Sequence, residues 1–442
     1  MPGSLRMSLY AGFRRLGDDA GQVVKTAADG STWASRVGTV HATPVLQTRR
    51  GAPILDIAAK RLDPHEGPLR VEFKTELLHL PALAERWEAL NLCRSDHDAP
   101  FFQSYAWNHH VARVRSQNAL DSFKLLVATV WRGADLVGIW PLALTRTAGS
   151  WMARSLDDPY GQFAGVLFRD TQDVAPGVAA IVRELRHVAD GLVVESVIGG
   201  SALRAALLQC GAQVSGKQQA VFVDISPFRS FKDYEQSMKG ETRRRLRNRT
   251  KRLRQAYAVD HVVTTDGARL KQIIGDVFDG RMEWLHRNGR TSPAFRDENF
   301  RTLLTELPAA PGIELIGHVL AANQDEISTH WGFVYAGTYY WYMSAMKDGY
   351  DDFSPGLLHL GMIIEACIER GLGGLELMPP ASRYKLEWSD KVKDVETMVL
   401  PLNFRGRAML QLTNSLMPAA KRLSRMLPDS LRKSIIRRLN RS

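Results

Sequence analysis

Two short stretches of this chain carry side chains and backbone that could do chemistry together. Ser354-Pro355-Gly356 opens one of them, and Tyr384-Lys385 closes the other after Leu375-Glu376-Leu377-Met378 and Pro379-Pro380. Ser354 is the residue type that caps a helix, and Pro355 suits the first helical position. The start of a helix presents unpaired N–H groups and the positive end of its dipole, so this stretch can be an anion site with phosphate as the natural guest. Tyr384-Lys385 adds a phenol and a cation nearby. Taken singly, Ser-Pro-Gly also fits a plain helix start, and Tyr-Lys a plain surface pair.

The elements that would position these residues are legible from periodicity. Leu357, Leu360, Ile364 and Ile368 repeat at helical spacing until Gly371 ends the run. Gly373-Gly374 lead into a short strand, Leu375 to Met378, which Pro379-Pro380 stops, with Glu376 facing opposite to its apolar neighbours. Upstream, Glu326 to Tyr335 and Thr338 to Ala345 read as two aromatic-rich strands joined at Ala336-Gly337, a hairpin signal.

At 442 residues with 45% hydrophobic content the chain can bury a large core, and it divides into about two or three domains. It has no apolar run long enough to cross a membrane and no continuous apolar core of a secretory signal at its N-terminus, so a cytoplasmic location is expected. Cys93, Cys210 and Cys367 are far apart and lack metal-ligand spacing, which argues against a disulfide framework or zinc. The net charge of +11 is concentrated. One cluster is Arg243, Arg244, Arg245, Arg247, Arg249, Lys251, Arg252 and Arg254, and the other is the tail from Lys421 to Arg441. Nucleic acid, an anionic membrane and a phosphorylated ligand are all compatible partners.

Residues 1–68 lack sustained periodicity and read as a poorly ordered extension, with a short helix near Met7 to Leu16. Order begins with the alternating strand Leu69 to Phe73, followed by a helix opened by Pro81 and a second, capped helix after Phe101-Phe102-Gln103-Ser104. Strands near Lys124 to Val130 and Leu136 to Leu144 are joined by a turn at Arg132 to Asp135. Further strands fall at Ala164 to Phe168, Gly191 to Val197 and Gln219 to Ile225, with a helix from Ala175 to Ala189. After Pro227 a helix runs from Ser230 into the arginine cluster, then come a helix from Ala268 to Leu285 and a strand from Ile313 to Ala321. Within the cluster Leu246 and Leu253 lie on one side and Arg243, Arg247 and Arg254 near another, as in an amphipathic helix with a basic face. Leu416, Leu423, Met426, Leu431, Ile435, Ile436 and Leu439 give the basic tail an apolar side, suited to an anionic membrane surface or to docking on its own domain.

The stretches FFQSYAWN, LVGIWPLAL, KGETRRRLRNRTKRL, FSPGLLHLGMIIEACIERGLGGLELM and RYKLEW occur in an order that resembles the cellulose-biosynthesis-type acetyltransferases. These belong to the GNAT superfamily and are related to Fem-type peptidyltransferases, which carry two GNAT-like domains in one chain. The resemblance covers roughly residues 69–405. It implies an α/β (α+β) fold of two GNAT-like domains in tandem, each a mixed, mostly antiparallel sheet flanked by helices, with a helical C-terminal tail. The expected boundaries are 1–68 for the extension, 69–226 and 227–406 for the two domains, and 407–442 for the basic tail.

The resemblance further implies acyl transfer to an amine or hydroxyl, with the donor's phosphates gripped at Ser354, Pro355, Gly356 and Leu357 and assisted by Arg245 and Arg247 of the basic helix. Gly356, lacking a Cβ, would let a pyrophosphate approach the backbone. Acyl transfer requires a deprotonated nucleophile, a polarised carbonyl and close positioning of both. Glu376 or His330 would accept the proton, and Tyr342, Ser344 or a backbone N–H would face the developing oxyanion. Tyr384 would position the acceptor, and Lys385 would hold a phosphate, a substrate carboxylate or Glu376 itself. His330 beside Trp331 equally fits a structural histidine, and Glu376 a structural ion pair. The chain departs from the family at Glu376 and Met378-Pro379-Pro380, where an Asp and a Gly-rich turn are usual.

The functions that follow are an acyl-CoA-dependent transferase without a metal, acting on a small or polysaccharide-precursor acceptor, with peripheral contact to the inner membrane face through the tail. The alternatives are an aminoacyl-tRNA-dependent transferase of Fem type and a catalytically idle GNAT-like scaffold of an envelope complex.

Overall fold

The computed structural model describes residues 67–92, 100–117, 122–147 and 149–411. The N-terminal extension to residue 66 with its expected short helix, Cys93, and the tail beyond 411 lie outside the described residues.

The first half runs β1 (Leu69–Lys74), α1 (Ala84–Leu92), α2 (Tyr105–Gln117), β2 (Phe123–Arg132), β3 (Asp135–Thr147), β4 (Ser150–Ser155), β5 (Leu167–Phe168), α3 (Val174–Leu185), β6 (Gly191–Ile198), α4 (Ala202–Gln209) and β7 (Gln213–Asp224). The second half runs α5 (Phe231–Ser237), α6 (Gly240–Ala256), β8 (Val259–Thr264), α7 (Gly267–Arg287), α8 (Pro293–Arg296), α9 (Asn299–Glu306), β9 (Glu314–Ala322), β10 (Asp325–Tyr335), β11 (Thr338–Met346), α10 (Pro355–Glu369), β12 (Gly374–Glu376) and β13 (Val392–Pro401).

The two halves repeat one pattern. β1 to β4 form an antiparallel meander, α3 follows, and β6 then pairs parallel with β4. In the same way β8 to β11 form an antiparallel meander, α10 follows, and β12 pairs parallel with β11. The strands join into one sheet in the order β1-β2-β3-β4-β6-β13-β7-β12-β11-β10-β9-β8, with β5 beside β3. β7 stitches the halves, pairing along most of its length with β13 and at Phe222–Asp224 with β12. β13 returns from the end of the second half to lie between β6 and β7.

Local chemistry explains the hairpins. Ala336 and Gly337 both take positive φ (46° and 73°), the twist that a two-residue turn needs to match the right-handed twist of β10 and β11. The expected single helix from Ser230 into the arginines is instead two helices. Met238 takes an extended conformation (ψ 155°) and buries its side chain in the core beneath α10, so α5 stops there and α6 restarts at Gly240. On α6, Leu246 and Leu253 are buried as the periodicity required, leaving the arginines on the outside.

An aromatic core binds the halves together. Phe101 stacks on Phe333 with ring centroids 4.1 Å apart, and Trp107, Phe102 and Tyr340 complete the cluster. Each such pair adds about 0.5–1.5 kcal/mol beyond burial alone.

Candidate active site

Parallel pairing of β11 with β12 covers only Thr338↔Gly374, Tyr339↔Leu375 and Tyr340↔Glu376. β12 then ends, Met378 takes a left-handed backbone (φ 60°), and Leu377 N–H turns to Val221 O at 2.9 Å. β11 continues to Met346 without this neighbour, so a wedge opens between Trp341–Met346 and the segment after Glu376. Facing the wedge, the β10–β11 register slips between Trp331 and Gly332: Met343 pairs with the first and Trp341 with the second, leaving Tyr342 out of the ladder. Gly332 is required there, because a Cβ would stand 2.2 Å from the Tyr340 carbonyl oxygen.

Glu376 sits at the apex, 1% exposed. Its Oε2 lies 3.3 Å from Lys393 Nζ, and its Oε1 accepts from Met378 N–H at 3.4 Å. Burial drives its pKa up to about 7, against the pull of Lys393, the Met378 amide and Lys385. Lys385 is also buried, and its Nζ donates to Met378 O at 2.8 Å and Pro380 O at 3.2 Å. Burial lowers the ammonium to about 8, with Glu376 opposing and Arg281 reinforcing the shift. The two groups that the sequence placed in one site are therefore neighbours, and burial makes the charged form of each more costly. Lys385 also ties down the Met378–Pro380 segment.

Tyr384 is half-buried, and burial raises its phenol. Tyr342 Oη donates to Tyr160 O at 2.9 Å, reaching across to the first half, and its ring packs 5.0 Å from Trp331. Ser344 lies opposite His330 on the neighbouring strand.

His330 is placed differently from Glu376. It is fully buried, stacks on Trp341 at 3.6 Å and lies opposite His318 of β9, on the side of the sheet that carries α10. Glu376 pairs with Tyr340, whose ring belongs to the aromatic core on the other side. Burial holds the His330 pKa well below its ordinary value, so it is neutral. With His261, His318 and His359 it forms a layer of imidazoles beneath α10, in which His359 Nδ1 shares a 2.8 Å hydrogen bond with Ser328 Oγ.

The start of α10 corrects two expectations. Ser354 is left-handed (φ 53°, ψ 60°) and its hydroxyl makes no cap; its carbonyl instead accepts from Leu357 N–H at 3.0 Å and Leu358 N–H at 3.3 Å. Pro355 has no N–H, so the Gly356 amide is the first-turn donor left for a ligand. The space left by the missing Cβ of Gly356 is taken by Met346, whose Sδ stands 2.6 Å from where that Cβ would be. Leu357 is buried in the core rather than presented to a guest. Arg245 is ion-paired with Glu387, and Arg247 Nε donates to Glu235 Oε1 at 3.0 Å, so both expected phosphate-binding arginines have protein partners.

The equivalent helix of the first half starts differently. α3 begins on Asp173, which Arg132 grips through both carboxylate oxygens at 2.7 and 3.0 Å. The Asp173 carboxylate makes no cap to α3 and is committed to Arg132.

Sequence reading overlooked Lys393, the strongest charge partner of Glu376, and Asp157. Asp157 accepts from Trp107 Nε1 at 2.9 Å, and burial raises its pKa to about 7. Gly161 fits against its carboxylate, with a Cβ position only 2.0 Å from Oδ2. The available signal was Asp157-Asp158-Pro159-Tyr160-Gly161, a polar turn directly after a strand. Among the described residues no group of three or more His, Cys, Asp or Glu could hold a metal ion, and no helix is long and apolar enough to cross a membrane.

Residues 240–386 match a family model described as an acetyltransferase (GNAT) domain, a span that contains α6, the wedge, Glu376 and Lys385. No curated protein matches the chain significantly. The structure resembles that of FemX with a TM-score of 0.51 at 10% identity, over 75% of this chain and 98% of that one. Other similar structures include the C-terminal domain of a putative lysylphosphatidylglycerol synthetase from Agrobacterium fabrum (TM-score 0.47, 14% identity, 76% and 96% covered). A tandem GNAT protein from the clavulanic acid biosynthesis pathway is a third (TM-score 0.44, 11% identity, 76% and 99% covered). Residues 240–386 are thus similar to a GNAT acetyltransferase domain, and the mixed α/β architecture around them resembles the fold of FemX.

Proposed function

We propose that this chain transfers an acyl group from acyl-CoA to an amine or hydroxyl acceptor. The observation that carries the reading is the wedge between β11 and β12, with Glu376 buried at its apex and the Gly356 amide at the start of the helix that follows β11. A thioester laid in the wedge brings its carbonyl beside the bulge at Tyr342 and its phosphates toward Gly356. The acceptor approaches from the face of Tyr340 and Tyr342, where the first half closes over the second.

Acyl-CoA supplies an activated carbonyl. The acceptor nucleophile bonds to that carbon, its proton passes to the Glu376 carboxylate, and the C–S bond breaks. The proton then returns from Glu376 to the departing sulfur, which regenerates the carboxylate. A carboxyl that titrates near 7 suits both steps at neutral pH. Lys385 holds the Met378–Pro380 loop, and Tyr384 borders the acceptor side. His330 serves in this reading as a neutral structural residue.

A sugar or other polysaccharide precursor as acceptor, and peripheral membrane contact through the tail, belong to the same proposal. A second reading, transfer from aminoacyl-tRNA, is favoured by the exposed cations of α6. Purified protein offered labelled acetyl-CoA and a labelled charged tRNA, each with amine and sugar acceptors, separates the two. Transfer from acetyl-CoA that Glu376→Gln removes is the expected result, and transfer from neither donor sinks both readings.

A further inference from the structure

A groove of about 600 Å³ lies between α5, α6 and α10, outside the wedge. Its rim is basic: Lys232 from α5 and Arg247, Lys251 and Arg254 from α6, all exposed. Its floor is apolar, built from Leu246, Leu358 and Met362, with half-buried Phe231 at one side. Arg247 is held by Glu235, while Lys232, Lys251 and Arg254 make no ion pair among the described residues. The other acid in the groove is Glu365, so four cations face two acids and the groove is net positive.

The groove begins at the end of the first turn of α10. Leu358 lines it, and Leu358 follows Gly356 and Leu357 directly. From Gly356 to Gly361, which also lines the groove, the helix axis advances roughly 7.5 Å at about 1.5 Å per residue. Exposed Asp351 and Asp352 stand in the turn before α10 and oppose an anion at Gly356. Cations beside the helix are needed to offset them, and α6 supplies them. Arg252 lies over the Phe353 ring at 5.8 Å, which brings α6 against that same turn.

We propose that this groove holds the phosphorylated nucleotide end of the acyl donor, with phosphate on Lys251 and Arg254 and the base against Phe231 and the apolar floor. A basic rim over an apolar floor of this volume matches a ligand that joins a flat ring to phosphate. The inference rests on the acyl-CoA reading and deepens it, since it gives the arginine helix a ligand that the wedge alone does not require.

The test measures dissociation constants of acetyl-CoA and of acetyl-dephospho-CoA, which lacks the 3′-phosphate, with the full chain and with Lys251→Glu/Arg254→Glu. Both positions are exposed, and unchanged melting temperature without ligand checks the fold. The expected result is at least a tenfold loss of acetyl-CoA affinity in the double variant, a clearly smaller loss for acetyl-dephospho-CoA, and a shallower salt dependence. Acetyl-CoA binding that the double variant leaves intact overturns the groove assignment while the donor reading stands. No acetyl-CoA binding by the unaltered chain overturns the donor reading and this inference together. Charge reversal that abolishes binding of a tRNA acceptor hairpin or of phosphatidylglycerol vesicles, with acetyl-CoA affinity unchanged, assigns the groove to that partner and overturns the proposal.

Discussion

Tyr340 of β11 and Glu376 of β12 are the last partners of the parallel pair, and the strands part immediately beyond them. This places a carboxyl at the point where β11 and β12 change from closed ladder to open wedge. Burial and position act together there: the same desolvation that raises the carboxyl to about 7 also keeps water from competing for its proton.

Activity should therefore rise with pH through about 7, because Glu376 must be ionised to accept a proton. Glu376→Gln should lower kcat by about 10²–10⁴-fold and remove that limb of the profile. A pH profile of the variant that keeps the limb at the same place assigns the proton to another group.

The cations near Glu376 should tune that limb in a stated order. Lys393 exerts the larger pull on the carboxyl and Lys385 a smaller one, both toward lower pKa. Lys393→Ala should thus move the limb to higher pH than Lys385→Ala does. Lys385→Ala should in addition leave the Met378 and Pro380 carbonyls without their buried donor, costing about 1–3 kcal/mol of stability. Chemical denaturation beside the pH profiles separates the effects, and the reverse order of limb shifts contradicts the geometry.

Much of this arrangement could be read from residue types, and what could not has physical causes. The β10–β11 hairpin was legible because Ala336-Gly337 is a local signal, and α10 because its apolar period is long. The opposed direction of Glu376 followed from strand alternation. Its burial did not, since that depends on β7 and on Lys393 from β13, partners remote in sequence. β13 escaped notice because Val392-Lys393-Asp394-Val395-Glu396-Thr397 reads as an exposed charged stretch until β6 and β7 are placed on either side of it. Ser354 misled for the opposite reason: its type suits a cap, but the turn at Asp351–Phe353 delivers it left-handed. His330 was left open between base and structural residue, and its burial among Trp341, His318 and His359 depends on neighbouring strands and α10 that no local pattern encodes.

Gly332→Ala tests the bulge that exposes Tyr342. A Cβ at this position meets the Tyr340 carbonyl at 2.2 Å, and backbone cannot yield as a flexible side chain would. The substitution should cost about 1–3 kcal/mol or more and lower the melting temperature. It should also reduce kcat more than donor affinity, because the bulge lies at the wedge and away from the start of α10. Wild-type stability in the variant would mean that the two strands pair without the slip.

The imidazole layer beneath α10 gives the fold a stability that depends on pH, with a definite sign. His318, His330 and His359 are fully buried and have pKa values far below 6.5, and His261 is lowered to about 4, in each case chiefly by burial. In the unfolded chain these groups take up protons near pH 6.5. Above that pH both states are neutral and the stability is fully present. As pH falls below it the unfolded chain binds protons that the folded chain refuses, so stability is lost by up to about 1.4 kcal/mol per pH unit for each histidine. Lys385 and Arg370 contribute positive charge that opposes protonation in the folded state. Urea unfolding should accordingly show a steep fall from pH 6.5 to pH 5. His318→Phe should flatten it, because both ring nitrogens of His318 lack a hydrogen-bond partner among the described residues and an apolar ring removes that cost along with the titration. A variant as acid-sensitive as the unaltered chain would show that His318 contributes nothing to the fall.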